Sequence, residues 1–143
     1  IHLSAVRGEL QKVVKWLRKG GAVDAFRFTT TCTGQPTTTT LPHTAAVNDH
    51  LEMVRELLKR GASVDLPSSL GATALMNAAY YGNLSIVLVL MHHSANPDMQ
   101  SDIGHTALMK AAGQGQEACV QALLRAKANP ELIDYKGRAA LQW

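Results

Sequence analysis

The sequence predicts an all-α solenoid of stacked helix-turn-helix units, and two observations carry that prediction. The first is a fixed spacing: Gly71, Gly104 and Gly137 open similar segments and follow one another at intervals of 33 residues. Gly82 and Gly115 keep the same interval. Self-similarity at a period of roughly 20–50 residues indicates a repeat protein, in which each unit buries its apolar face against the next. The 143 residues therefore form one short repeat array.

The second observation is the content of each interval, which predicts two short helices joined by a turn. Residues 74–81 are rich in small side chains and predict a first helix that neighbouring units can approach closely. Gly82 supplies a left-handed position that ends this helix. Residues 84–92 are more apolar and predict a second helix, and Pro97 follows as a helix stop.

Threonines mark where the first helices begin. Thr40, Thr73 and Thr106 precede the three central first helices, and a threonine hydroxyl can accept a hydrogen bond from a free backbone N–H there. Ala139 occupies the same place in the last copy and has no such oxygen. We therefore expect the last copy to lack about 1 kcal/mol of capping.

These features together resemble the ankyrin repeat. The resemblance rests on the Thr-Ala-Leu-Met start at 73–76, the alanine pairs at 78–79 and 111–112, and above all the segment 49–62. It covers nearly the whole chain and implies a single domain, 1–143, of about four repeats plus a truncated fifth, with finger loops that are β-turns or hairpins. The approximate units are 1–24, 38–65, 71–98, 104–131 and a partial 137–143, with an extended threonine-rich finger at 25–37.

Departures from the family pattern give further predictions. The resemblance implies a hydrogen bond between Thr40 and His43, which Met76 and Met109 cannot provide in the next two units. Other departures fall where the family and the other copies have glycine, so we expect a left-handed backbone there. These positions are Asp49, Ser94 and Lys127.

The two ends of the chain carry no polar capping repeat, which a solenoid needs. The first unit is also truncated. We therefore expect the chain to be the ordered part of a larger protein.

The first junction is longer than the others. Gly8 and Asp49 are separated by 41 residues where the other copies have 33. Phe26 and Phe28 alternate and threonines follow, which is compatible with a β-hairpin that turns near Gly34-Gln35. The insertion is either a tolerated surface loop or a loop that contacts a partner.

Nothing in the sequence indicates catalysis. It contains no Cys-x-x-Cys pair, phosphate loop, nucleophile elbow or His-Glu-x-x-His motif. Cys119 lies in a predicted second helix and is expected to be buried, whereas Cys32 is expected to be exposed. We predict that the protein is not an enzyme and binds no metal or small-molecule cofactor.

The histidines have structural explanations. His2 and His43 occupy the family's structural histidine position, and His50 follows a helix end, as is usual in the family. His92 and His93 are adjacent on a helix, so they point about 100° apart and do not readily share a metal.

Charge sets limits on the partner. The net charge of +3 and the pI near 9.0 are too mildly basic to indicate nucleic acid on their own. Two predicted second helices are basic and form either a solvated face or a site for an anionic partner. Their basic residues are Lys12, Lys15, Arg18, Lys19, Arg55, Lys59 and Arg60. No apolar stretch is long enough to cross a membrane, and no secretory signal is present, so we expect an intracellular, cytoplasmic protein.

A partner protein is expected on the concave groove that fingers and first helices form in a stacked array. Tyr80, Tyr81, Ile103 and Lys110 are predicted to be its centre, because binding hot spots are enriched in tyrosine. The alternative is that one tyrosine packs against a neighbouring helix. The full predicted set is Ser69, Leu70, Ala72, Asn77, Tyr80, Tyr81, Asp102, Ile103, His105, Lys110, Gln114, Tyr135, Lys136 and Arg138, with Thr44, Val47 and Asn48 from the second unit. Trp16, in contrast, is expected to pack in the core.

The leading functional prediction is a protein-interaction scaffold without chemistry of its own. A regulatory segment of a larger enzyme, channel or transcription factor is the second possibility. Binding of nucleic acid or another anionic partner through the basic helices is the third.

Overall fold

The computed structural model describes residues 1–30, 34 and 36–143. It contains four helix pairs, with a β-hairpin after the first pair and a 3-10 helix at the end. The elements are α1 (His2–Val6), α2 (Leu10–Arg18), β1 (Arg27–Thr30), β2 (Pro36–Thr39), α3 (Leu41–Val47), α4 (Leu51–Lys59), α5 (Ala74–Tyr81), α6 (Leu84–His92), α7 (Ala107–Gly113), α8 (Glu117–Arg125) and the 3-10 helix Ala140–Gln142.

The helices stack in two rows, which confirms the predicted helix-turn-helix solenoid. The first helices α1, α3, α5 and α7 contact one another in sequence and form the inner row. The second helices α2, α4, α6 and α8 form the outer row in the same order. Helices α5 and α6 begin and end at the predicted residues.

The core lies between the two rows. Small side chains such as Ala45, Ala78 and Ala111 are fully buried in the inner helices, so these helices pack closely. Larger side chains from the outer helices, including Leu57 and Leu90, fill the space behind them. Trp16 packs against the edge of this core, as predicted.

Left-handed turns separate the helices where glycine is absent as well as where it is present. Asp49, Ser94 and Lys127 have φ angles of 56°, 62° and 63°, which confirms the prediction for all three. A side chain at a left-handed position is strained by its Cβ, so these turns hold their shape because the packed helices on both sides impose it.

Two of the three predicted threonine caps are present, whereas the Thr40 hydroxyl bonds to the His43 ring. The N–H of Met76 donates to Thr73 Oγ1 at 3.3 Å, and the N–H of Met109 donates to Thr106 Oγ1 at 3.2 Å. In the last copy, the Gln142 side-chain oxygen accepts from the N–H of Ala139 at 2.8 Å. Ala139 has no capping oxygen of its own, and residues Ala140–Gln142 form a 3-10 helix.

The long first finger is a β-hairpin, as predicted. Strands β1 and β2 pair antiparallel, with Arg27 opposite Thr39 and Thr30 opposite Pro36. The hairpin joins the next finger through Ser69, whose N–H donates to the Thr38 carbonyl and whose Oγ accepts from the Thr38 N–H. The predicted turn at Gly34-Gln35 and the predicted exposure of Cys32 involve residues that lie outside the described ones.

Helices long and apolar enough to cross a bilayer are absent from the described part of the chain.

Candidate functional site

A groove of about 590 Å³ runs along the inner side of the stack, between the hairpin and the inner helices. We call it the concave groove. Its wall on one side is the hairpin, with Thr29, Thr37 and Thr39, and on the other side helices α5 and α7. The lining also includes His43 on the floor and Val6, Thr44, Val47, Asn48, Leu70, Ala72, Asn77, Tyr80, Tyr81 and Lys110.

An aromatic pair and a lysine stand at one end of the concave groove. The rings of Tyr80 and Tyr81 meet edge to face with centroids 5.0 Å apart. The Lys110 amine lies 5.8 Å from the centre of the Tyr80 ring, within the range of a cation–π interaction. Tyr80 and Tyr81 are 37% and 53% exposed, so both rings keep surface that a ligand could contact, although Tyr80 also lies against Lys110 of the neighbouring helix α7.

Lys110 carries a charge that its surroundings do little to compensate. Its side chain is half-buried, and burial lowers the pKa of its amine. Among the described residues, no carboxylate lies within 4.0 Å of the amine. A cation without a partner costs free energy to remove from water, so this amine would gain from an acidic ligand.

His43 fixes the floor of the concave groove. Its Nε2 donates to the Ala72 carbonyl at 2.8 Å, and its Nδ1 accepts from the N–H of Thr40 at 3.3 Å. The Thr40 hydroxyl lies 2.8 Å from the same Nδ1, so the implied Thr40–His43 hydrogen bond is present. Burial lowers the pKa of His43, although its bond to Ala72 acts in the opposite direction. The neutral ring therefore links one unit to the finger of the next.

The predicted binding residues fall into three groups: the groove lining, exposed positions outside the groove, and a cluster near the last finger. Most of those from the second and third units, together with Lys110, line the concave groove. Ile103 is 56% exposed but lies on the next finger, outside the groove lining, and Gln114 is exposed beyond the end of α7. Tyr135 and Lys136 are exposed at the last finger tip.

His105 and Arg138 instead belong to a cluster with Asp134 and Trp143, which we call the C-terminal cluster. Trp143 lies edge to face against His105, with centroids 4.5 Å apart, and the Arg138 guanidinium sits 4.0 Å from the Trp143 ring. Arg138 also donates to Asp134 Oδ2 from Nε at 3.0 Å and from Nη2 at 2.8 Å. The chain itself therefore covers His105 and compensates Arg138.

The pKa values in the C-terminal cluster follow from these contacts. Burial lowers the pKa of His105, and the nearby Lys110 charge lowers it further, while Asp134 acts in the opposite direction. Burial raises the pKa of Asp134, but hydrogen bonds from Arg138 and Lys136 outweigh it, so this pKa lies below its ordinary value. Asp134 is therefore ionised and His105 neutral near pH 7.

Comparison with known proteins agrees with the repeat geometry. The family model for ankyrin repeats matches residues 1–101 and 75–143, in three copies. The chain belongs to the ankyrin repeat family. No curated protein shows significant similarity to the chain. Ankyrin repeats typically bind other proteins and are not catalytic.

The sequence did not predict every residue that lines the concave groove. Thr29, Thr37 and Thr39 contribute a hydroxyl-rich wall, and Val6 extends it to the first unit. Alternate residues of a strand point to the same face, so the pairing of Thr29 with Thr37 places all three threonines on one face of the hairpin. The alternation was visible in the sequence, but the face that meets the groove depends on how the hairpin docks.

The ion pairs of the basic residues on the outer helices favour a solvated face over a site for an anionic partner. Lys12 pairs with Glu9 at 2.8 Å, Arg55 approaches Glu52 at 3.6 Å, and Arg60 pairs with Glu56 at 2.7 Å. Three of the basic residues that suggested an anionic partner therefore have a carboxylate three or four residues away in the sequence.

The remaining candidate chemical groups lie apart from one another. Cys119 is buried, as predicted, and burial raises the pKa of its thiol. The rings of His92 and His93 are 5.6 Å apart and nearly perpendicular. Across the described residues, no three His, Cys, Asp or Glu side chains form a group that could hold a metal ion.

Proposed function

We propose that this ankyrin protein is a non-catalytic interaction scaffold that binds another protein in the concave groove. The observation that carries the proposal is the exposed Tyr80–Tyr81 pair beside Lys110 at the groove wall. Tyrosine gives a large contact area with few rotatable bonds, which makes it frequent among binding hot spots.

The groove also offers the mixed chemistry that protein interfaces use. Apolar side chains such as Leu70 and Val47 adjoin hydroxyls and amides such as Thr44 and Asn77. The stacked helices behind them hold this surface rigid, so a partner does not have to order it on binding. The sequence has only two cysteines and lacks the cysteine-rich framework of small secreted domains, so we expect the partner to be intracellular.

An unbiased peptide selection tests the proposal. A phage-displayed library of random linear peptides is selected on the intact chain, and binders are then tested against Tyr81→Ala and, as a matched outer-face control, Leu88→Ala. Leu88 is 52% exposed, close to the exposure of Tyr81, but it lies on α6. We expect Tyr81→Ala to weaken most binders and Leu88→Ala to leave them unchanged. The opposite pattern would place binding on the outer helices and reject the proposal.

A further inference from the structure

Lys110 is distinguished from several outer-face cations by its lack of an acidic neighbour. Lys12 and Arg60 are balanced by glutamates three and four residues away in the sequence. Lys110 lies half-buried on α7, and its closest charge-related contact is the face of the Tyr80 ring. Its half-buried amine has therefore lost part of its hydration without gaining a carboxylate.

The described residues that line the concave groove carry positive charge and no negative charge. The residues that line it contribute hydroxyl, amide, imidazole and apolar groups, and this set contains no aspartate or glutamate. Burial lowers the pKa of His43, the lining histidine, and outweighs the opposite effect of its hydrogen bond to Ala72, so its ring is neutral near pH 7. Lys110 is thus the one fixed charge among the described lining residues, and it is positive.

The chemistry of this environment favours a carboxylate over other anions. A single ammonium is a point charge with three donors, and it matches one carboxylate without a second cation. Binding sites for phosphate groups in proteins usually use bidentate arginines or several cations. The Tyr80 ring covers one side of the half-buried amine, and an ion pair is stronger where the local dielectric constant is lower than that of water.

We infer that the concave groove selects a partner segment that carries an aspartate or glutamate, whose carboxylate pairs with Lys110 beside Tyr80 and Tyr81. This inference rests on the proposed function and adds the chemical class of the partner to it.

The test uses the peptides selected on the intact chain. We expect groove-binding peptides to share one acidic position, and replacing that acid by its amide to weaken binding at least about tenfold. With Lys110→Met, the acid and the amide peptides should bind almost equally. Lys110→Arg keeps the charge and should keep the preference, and Lys59→Met, on the exposed end of α4, is the matched control that should keep it too.

The outcomes separate this inference from the proposed function. Peptides that are sensitive to Tyr81→Ala but show no acidic preference would overturn the inference and leave groove binding intact. Peptides that are insensitive to Tyr81→Ala would overturn the proposed function itself. The acid-to-amide comparison is made on the unaltered protein, so an absence of acidic preference overturns the inference even if Lys110→Met does not fold. In that case Lys110→Gln, which also removes the charge, replaces Lys110→Met as the test of the pairing.

Discussion

The concave groove and the C-terminal cluster are built from the same kinds of group but differ in what completes them. In the groove, Tyr80 meets Tyr81 edge to face and Lys110 approaches the Tyr80 ring. In the cluster, His105 meets Trp143 edge to face and Arg138 stacks on Trp143.

The difference lies in the counter-charge. Arg138 is held by the Asp134 carboxylate, which is itself almost fully buried. Lys110 has no such neighbour among the described residues. An aromatic–cation arrangement that the chain completes stabilises the fold, whereas one that it leaves open is available to a partner. Composition alone does not distinguish the two cases, because both have an aromatic pair and a cation.

The largest expected effect is on binding. Tyr80→Ala and Tyr81→Ala should each cost about 2 kcal/mol or more of binding free energy, or roughly thirtyfold in Kd, toward a groove-selected peptide. Trp143→Ala should leave that affinity within about twofold, because Trp143 lies in the cluster and outside the groove lining. Isothermal titration calorimetry measures all three. Equal losses for Tyr81→Ala and Trp143→Ala would remove the distinction between the two regions.

The next effect is on stability, and here we expect the larger change from the C-terminal cluster. Trp143→Ala should lower the free energy of unfolding by about 1–2 kcal/mol, because it removes the contacts of the ring with His105 and Arg138. Tyr135→Ala is the matched control, since Tyr135 is 75% exposed at the neighbouring finger tip and should change stability by less than about 0.5 kcal/mol. Urea denaturation provides both values. A larger loss for Tyr135→Ala would show that the cluster does not stabilise the last unit.

A smaller gain in stability is expected just before the C-terminal cluster. Lys127→Gly should raise the free energy of unfolding by about 0.5–1 kcal/mol. A side chain at a left-handed position costs about 1–2 kcal/mol, and the greater entropy of unfolded glycine removes part of that gain. Gly61→Ala, at the corresponding turn of the second unit, should lower it. A fall in the denaturation midpoint of Lys127→Gly would contradict the assigned turn geometry.

The smallest effect is on pH dependence, and it compares His43 with His105. Burial lowers the pKa of both below the ordinary 6.5, so the folded chain binds fewer protons than the unfolded chain once the pH falls below that value. Stability should therefore decrease as the pH falls from 7.5 to 5.5.

Nuclear magnetic resonance titration of the two rings separates the regions. Trp143→Ala should raise the pKa of His105 toward 6.5, because it uncovers the ring, and should leave that of His43 unchanged. A His105 pKa that does not respond to Trp143→Ala would show that the tryptophan does not cover it.

Helix limits, left-handed turns and threonine caps were predictable from the sequence, because residues close together in the chain determine them. The limits of α5 and α6 and the left-handed Asp49, Ser94 and Lys127 follow from helix periodicity and from repeat copies that carry glycine. The threonine caps follow from the need to satisfy free N–H groups at a helix start.

The division of the predicted binding residues between the concave groove and the C-terminal cluster was not predictable from the sequence. Register places His105 and Lys110 on the same inner side, but Trp143 folds back over His105 and leaves Lys110 in the groove. That contact joins residues far apart in sequence, and the positions one and two periods before Trp143 carry Lys110 and Asn77, so no earlier copy has an aromatic ring there to indicate the contact. The groove wall contributed by Thr29, Thr37 and Thr39 likewise depends on the docking of the hairpin.

A map of backbone amide chemical-shift changes on adding a selected peptide tests the central claim most directly. We expect the largest changes at the groove residues Asn77, Tyr80, Tyr81 and Lys110, and much smaller ones at Arg138 and along α4. Largest changes at the C-terminal cluster or along the outer helices would contradict the assignment of binding to the concave groove.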